Sequence, residues 1–196
     1  MSRLICVTNQ TLCRGDYLGQ IRKIAAASPR AIILREKDLP AEEYRLLAEQ
    51  VLEICRIYHT PCILHTFTEI AIQLRADALH LPLPLLQNLS EAHKAHFIQL
   101  GTSCHSIQDA KEAESLGCTY ITAGHIFATD CKKGVPPRGL PFLKDICQSV
   151  HIPVYAIGGI DGSNWKSAIH AGAAGVCIMS KTMKSENPAA CFKNFT

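Results

Sequence analysis

Short runs of apolar and β-branched residues alternate along the chain with stretches whose apolar positions recur every three to four residues. The first run, Leu4–Thr8, is followed by helical spacing from about Asp16 to Ala27, which Pro29 closes. Ala31–Arg35 predicts a second strand. Pro40 stands at a first helical turn with Glu42 and Glu43 behind it, and Leu47, Val51, Leu52, Ile54 and Cys55 carry that helix toward Tyr58. Cys62–His65 predicts a third strand, with a helix from about Thr68 to Arg75. Ala78–Leu81 is a fourth, after which Pro82, Pro84 and Asn88 leave room only for a short helix near Ser90.

Phe97–Ser103 predicts the fifth strand, and Ser106, with Asp109 three residues on, caps a helix that Gly117 stops. Tyr120–Gly124 is the sixth, and a long polar loop leads from it to a helix from about Pro141 to Val150. Val154–Ile157, the seventh, ends in Gly158 and Gly159; Asp161 or Ser163 caps the next helix, which stops at Ala171 and Gly172. Gly175–Met179 is the eighth strand, and a last short helix carries Phe192 and Phe195. Eight strand–helix units in succession predict an α/β fold, a (β/α)8 TIM barrel, formed as a single domain over residues 1–196. The runner-up, an open doubly wound sheet, usually has fewer strands and a glycine-rich phosphate loop after the first. Thr8–Gly15 contains no glycine triplet.

A barrel gathers its chemistry on the face built from the βα loops. Side chains alternate with period two, so Ile33, Arg35 and Lys37 are expected on one face, as are Ile63 and His65, Gly101, Ser103 and His105, and Ile121, Ala123 and His125. Each of these faces begins apolar or small and ends polar, as expected of a ligand site above a packed interior. His125 stands where the sixth strand meets a loop rich in Lys, Gly and Pro, and an imidazole there can give or take a proton near neutral pH. Gly158 and Gly159, with Met179 and Ser180 at the end of strand eight, predict a phosphate site between loops seven and eight. Arg35 and Lys37 are two cations on an inward face, an arrangement that calls for an anion. His65 and His105 are candidate ligand contacts; His80, on a strand, fits a hydrogen-bonded core histidine as well as a ligand contact.

Composition narrows the partner. A net charge of +3 with scattered basic residues makes no case for nucleic acid or an anionic membrane, so any preference for anions is local. The N-terminal apolar run is too short for a signal-peptide core, no segment approaches the roughly 20 apolar residues of a spanning helix, and a cytoplasmic protein is expected. Of ten cysteines, Cys6, Cys62, Cys104 and Cys177 fall inside strand-like runs and none shows C-x-x-C spacing; reduced, mostly buried thiols are expected, Cys131 in the loop excepted. Metal-ligand spacings such as H-E-x-x-H are absent, and only Glu36, Asp130 and Asp161 lie near strand ends, so neither metal nor cofactor is expected. Oligomeric state is left open, a homo-oligomer included.

With these residues in view, the chain resembles the thiamin phosphate synthase and TenI superfamily from Arg35 to Lys181. The match rests on Arg35-Glu-Lys-Asp38, Ala76-Asp-Ala-Leu-His-Leu81, Ser103-Cys-His-Ser106, Gly124-His-Ile-Phe127, Ile152-Pro-Val-Tyr-Ala-Ile-Gly-Gly-Ile160 and Ala171-Gly-Ala-Ala-Gly175. Synthases join a pyrimidine pyrophosphate to a thiazole phosphate with magnesium, and carry Asn-Asp after strand three and a further Asp just beyond strand four. Here those places hold His65-Thr66 and Pro82-Leu-Pro-Leu85. Gly124-His-Ile-Phe127 with Thr129-Asp-Cys-Lys-Lys-Gly134 looks like the TenI-type thiazole tautomerases, which aromatise a carboxythiazole phosphate, a small-molecule substrate, without metal. The resemblance implies His125 as the proton shuttle and Gly158, Gly159, Met179 and Ser180 as the phosphate grip. It implies Arg35, Lys37 and Lys132 around the carboxylate, and Ser103, His105, His65 and Thr129 lining the site. A diverged synthase-like transferase and a non-catalytic, TenI-like regulatory or ligand-binding protein are the alternatives.

Overall fold

The computed structural model describes residues 2–195. Its strands are β1 (Leu4–Val7), β2 (Ala31–Leu34), β3 (Cys62–His65), β4 (Ala78–Pro82), β5 (Gln99–Cys104), β6 (Tyr120–Gly124), β7 (Val154–Ile157) and β8 (Gly175–Ile178). They pair in parallel in chain order and close, β8 against β1, into the expected (β/α)8 TIM barrel. Every residue of β1, β2, β6 and β8 is buried, as in a parallel sheet covered on both faces.

Alternation sorts the strand residues into two cores. Ile5, Val7, Ala31, Ile33, Ile63, Ala78, Tyr120, Tyr155 and Cys177 pack together inside the barrel, with Ile157 and Met179 against them. The opposite parity, including Leu4, Ile32, Leu34, Leu64, Leu79, Leu81, Ile121, Ala123, Val176 and Ile178, packs against the helices. In α2 (Ala41–Ile57), Tyr44, Ala48, Val51, Ile54 and Cys55 form the buried stripe. Tyr44 Oη donates to the Leu34 carbonyl at 2.9 Å and accepts from the His65 N–H at 3.0 Å, which pins the helix across β2 and β3.

The remaining helices are α1 (Tyr17–Ala26), α3 (Thr68–Gln73), α4 (Leu83–Gln87), α5 (Glu91–Lys94), α6 (Ile107–Ser115), α7 (Gly139–Ser149), α8 (Trp165–His170), α9 (Ser180–Met183) and α10 (Pro188–Phe192). Three boundaries depart from expectation. The proline-rich segment after β4 is helical, because Pro82 caps α4 and Pro84 falls in its first turn, where a missing N–H loses no helix bond. α8 begins at Trp165 rather than at Asp161 or Ser163, which form a turn held by the Asp161 carboxylate. The C-terminal region holds two short helices, and Phe195 lies in a 3-10 turn beyond the second.

The cysteines are all free thiols: Cys6, Cys104 and Cys177 are buried, Cys62 is half-buried and Cys131 is exposed. Among the described residues no helix is long and apolar enough to cross a membrane.

Candidate functional site at the barrel mouth

The inward-facing residues at the carboxyl ends of β3 to β6 turn from apolar to polar. His65 and His80 pair across β3 and β4 and stack with ring centroids 5.6 Å apart and an interplanar angle of 17°. His80 Nδ1 lies 2.9 Å from the Tyr120 hydroxyl and Nε2 lies 2.9 Å from Ser103 Oγ; Thr122 Oγ1 donates to the same oxygen at 3.1 Å. His65 Nδ1 is 2.6 Å from Thr66 Oγ1. Gly101 makes room for this chain, since a Cβ there would overlap the Tyr120 ring. Burial, and next the nearby Arg35 and Lys37, push the His65 pKa down to about 3. Burial, with His65 and Arg35 as further causes, also lowers His80. Both rings are therefore neutral at pH 7, beneath the positive charge of Arg35.

Arg35 is half-buried, its N–H donates to Thr8 Oγ1 at 2.9 Å, and its guanidinium has no ion-pair partner among the described residues. Lys37 is exposed and lies 3.6 Å from Asp38. The carboxylate next to Arg35 is committed elsewhere: buried Glu36 accepts from Thr8 Oγ1 at 2.6 Å, the Tyr17 hydroxyl at 2.8 Å and the Gln10 N–H at 2.8 Å. Glu36 thus ties the loop after β1 to the end of β2.

On the β6 side the expected face is displaced by one residue. Tyr120 faces the interior, as does Thr122, which reaches Ser103, whereas Ile121 and Ala123 pack against the helices. His125 follows the strand across a cis peptide from Gly124 and is buried at 5% exposure. Its Nε2 is 3.2 Å from the Val135 carbonyl; a carbonyl only accepts, so Nε2 carries a proton, while Nδ1 has no hydrogen-bond partner among the described residues. Backbone bonds from Arg138 N–H to the His125 carbonyl and from Gly139 N–H to the Ile126 carbonyl, both 3.0 Å, fold the returning loop over this segment. His105, expected to line the site, is exposed, and its Nδ1–H donates to the Gly124 carbonyl at 2.8 Å. Thr129 Oγ1 accepts from the Cys131 N–H at 3.4 Å in a 3-10 turn, and Lys132 is exposed at the end of that turn.

Gly158 and Gly159 have φ of +95° and +67°. A Cβ on Gly158 would strike His125, and one on Gly159 would strike the carbonyls of Phe127 and Ala128. Glycine is required here for the close approach of the 125–128 segment, which itself donates from Phe127 N–H to the Gly158 carbonyl at 3.0 Å. Across the gap, Met179 packs on the barrel interior and Ser180 opens α9. Lys181 Nζ lies 3.3 Å from Asp161 Oδ2, joining loops seven and eight; hydrogen bonds from Ser163 first, then Lys181, hold the Asp161 carboxyl below its usual range.

The three carboxylates near the strand ends stand in different surroundings. Glu36 accepts from three donors, Asp161 is held by Ser163 and Lys181, and Asp130 is exposed in the loop. Among the described residues no group of three or more His, Cys, Asp or Glu is placed to hold a metal ion. The sequence alone does not decide between a core and a ligand role for His80, and it singles out neither Tyr120 nor Thr122. The available signal was parity: Tyr120, Thr122 and Gly124 form the small-and-polar alternation, while Ile121 and Ala123 are the apolar one.

The family model for thiamine monophosphate synthase matches residues 4–182. The chain is 32% identical over 191 residues to thiamine-phosphate synthase 2 of Streptococcus pneumoniae serotype 4, covering 94% of this chain and 89% of that one. It is 29% identical over 192 residues to the thiamine-phosphate synthase of Clostridium novyi, covering 94% and 92%. Its fold is similar to that of the thiamine phosphate pyrophosphorylase of Pyrococcus furiosus, with a TM-score of 0.84, 26% identity, and 98% of this chain and 93% of that one covered. With a closed eight-stranded barrel and a family match running from β1 into α9, the chain belongs to the thiamine monophosphate synthase family, the enzyme family that also includes TenI.

Proposed function

We propose that this member of the family is a thiazole tautomerase, converting the non-aromatic carboxythiazole phosphate into its aromatic tautomer by metal-free proton transfer. What supports the reading is that His65-Thr66 at the end of β3 and Pro82-Leu-Pro-Leu85, which opens α4 after β4, stand where the resemblance puts the carboxylates of magnesium-dependent synthases. A magnesium-assisted coupling needs carboxylates there, whereas a proton transfer needs only a base.

His125 has the tautomer that such a base requires. Its Nε2–H is fixed on the Val135 carbonyl, and Nδ1 keeps an uncommitted lone pair. In the proposed step the C–H bond of the ring carbon bearing the carboxylate breaks, its proton goes to Nδ1, and the electron pair moves into the ring system. The same proton then forms the new C–H bond at the exocyclic carbon, so the imidazole ends as it began and the product is an isomer. Aromatisation drives the reaction forward. Since the ring lies under the returning loop, that loop opens to admit substrate. Arg35, with no ion-pair partner among the described residues, supplies charge for the carboxylate, with Lys37 and Lys132 screening from the rim. The backbone of Gly158, Gly159 and Met179 and the Ser180 hydroxyl take the phosphate. His65 and Ser103 line the mouth, with His105 and Thr129 behind the His125 loop.

Proton NMR of the non-aromatic tautomer, mixed with the protein in the presence of a chelator, should show the aromatic product appearing. A second reading, the coupling reaction itself, is favoured by the names of the related thiamine-phosphate synthases. Supplying the pyrimidine pyrophosphate and thiazole phosphate with magnesium tests it: thiamin phosphate formed there, with no tautomer turnover, would replace the first reading by the second.

A further inference from the structure

We propose that Tyr120 and His80 are positioning residues that lock the Ser103 hydroxyl as a hydrogen-bond donor at the barrel mouth, so that Ser103 selects an acceptor oxygen on the ligand. The ligand's place there rests on the proposed tautomerase reading, whereas the orientation of Ser103 does not.

Three protons decide the matter. The Tyr120 hydroxyl is buried, and its one polar partner among the described residues is His80 Nδ1 at 2.9 Å. A phenol has a single proton, and burying it without an acceptor is unfavourable, so it is donated to Nδ1. His80, only 2% exposed and held neutral by its burial, then carries its own proton on Nε2 and donates it to Ser103 Oγ at 2.9 Å. Thr122, likewise 2% exposed and with no other side-chain partner among the described residues, donates to the same oxygen at 3.1 Å. The two incoming protons fill both lone pairs of Ser103 Oγ. Its own proton must point away from the network.

Ser103 is the half-buried residue of this group, at the last inward position of β5, level with Pro82 and Thr122. The opposite tautomer, with Ser103 donating to Nε2, would strand the Tyr120 proton in the barrel interior. Ser103 is therefore a donor by construction, suited to a carboxylate or phosphoryl oxygen and unable to accept from an amide or hydroxyl.

Selective 15N labelling of histidine in the intact chain reads the tautomer directly. The His80 ring is the one whose Nδ1 resonance moves in Tyr120→Phe and whose Nε2 resonance moves in Ser103→Ala, each variant removing one oxygen. The expected spectrum has His80 protonated at Nε2 and bare at Nδ1; protonation at Nδ1 overturns the proposal. Binding gives the second readout. Ser103→Ala should weaken the aromatic carboxythiazole phosphate about tenfold or more, as for a hydrogen bond to a charged group. Tyr120→Phe should weaken it in the wild-type background and not further in Ser103→Ala. Equal effects of Tyr120→Phe in both backgrounds would sink the positioning role. A His80 protonated at Nε2 in a protein that binds no thiazole phosphate would refute the tautomerase reading and leave the orientation of Ser103 standing.

Discussion

His125 and Glu36 are both buried polar side chains at strand ends, yet their hydrogen bonds suit them to different tasks. His125 spends one nitrogen on Val135 and keeps the other uncommitted, whereas Glu36 places both oxygens against three donors. His125→Asn preserves a polar side chain of smaller size without a titratable nitrogen, so tautomer turnover should fall about 10²- to 10⁴-fold with the thermal transition little changed. Wild-type turnover in that variant would remove the proton shuttle from His125. Glu36→Ala should instead act on stability: with the Thr8 and Tyr17 hydroxyls losing their acceptor, urea unfolding should register a loss of about 3 kcal/mol. A loss below about 0.5 kcal/mol would show that the strap from β1 to β2 is dispensable.

At the scale of elements, the end of β6, the returning loop and the end of β7 form one unit. The loop packs on Gly158 and Gly159 so closely that neither position has space for a side chain. Gly159→Ala adds a methyl group against two carbonyls at a φ of +67°, and should lower stability by about 1–3 kcal/mol. Because the displaced segment carries His125, turnover should drop in the same variant, and ordinary stability with ordinary turnover would contradict this packing. The sequence made the two glycines visible but offered a different reason for them, close approach of a phosphate. Contacts between loops six and seven are non-local and leave no mark in spacing. The parity of β6 is hidden in the sequence for a related reason: His125 stands one residue past the strand, and alternation counted backward from it places Ile121 and Ala123 inward. A one-residue displacement exchanges the two faces of a strand completely.

Across the whole molecule, the barrel keeps two histidines neutral in its interior end. His65 has a folded pKa of about 3 against an ordinary value of 6.5, and His80 is lowered in the same direction. Below pH 6.5 the unfolded chain therefore binds protons that the folded chain does not, and stability falls as the pH drops from there toward 3. Each ring contributes up to about 1.4 kcal/mol per pH unit in that window, and between pH 6.5 and about 5 the slope lies above the range where most carboxylates titrate. Urea unfolding between pH 7 and 5.5 should show this slope, and His65→Leu should flatten it; parallel slopes for wild type and variant would mean that His65 is protonated in the folded state.

Local patterns determined the eight strand–helix units and hence the barrel, because apolar period, proline stops and glycine ends are properties of neighbours in the chain. They also put His125, Arg35, His65 and Ser103 at strand ends, since parallel strands in sequence order leave their carboxyl ends on one face. Tertiary structure alone decided which of these share a network. Tyr120, His80, Ser103 and Thr122 come from three strands, Glu36 meets Thr8 and Tyr17 across two elements, and His125 meets Val135 only when the loop folds back. Hydrogen bonds act over about 3 Å, and which groups come within that distance depends on the closure of the barrel rather than on any spacing along the chain.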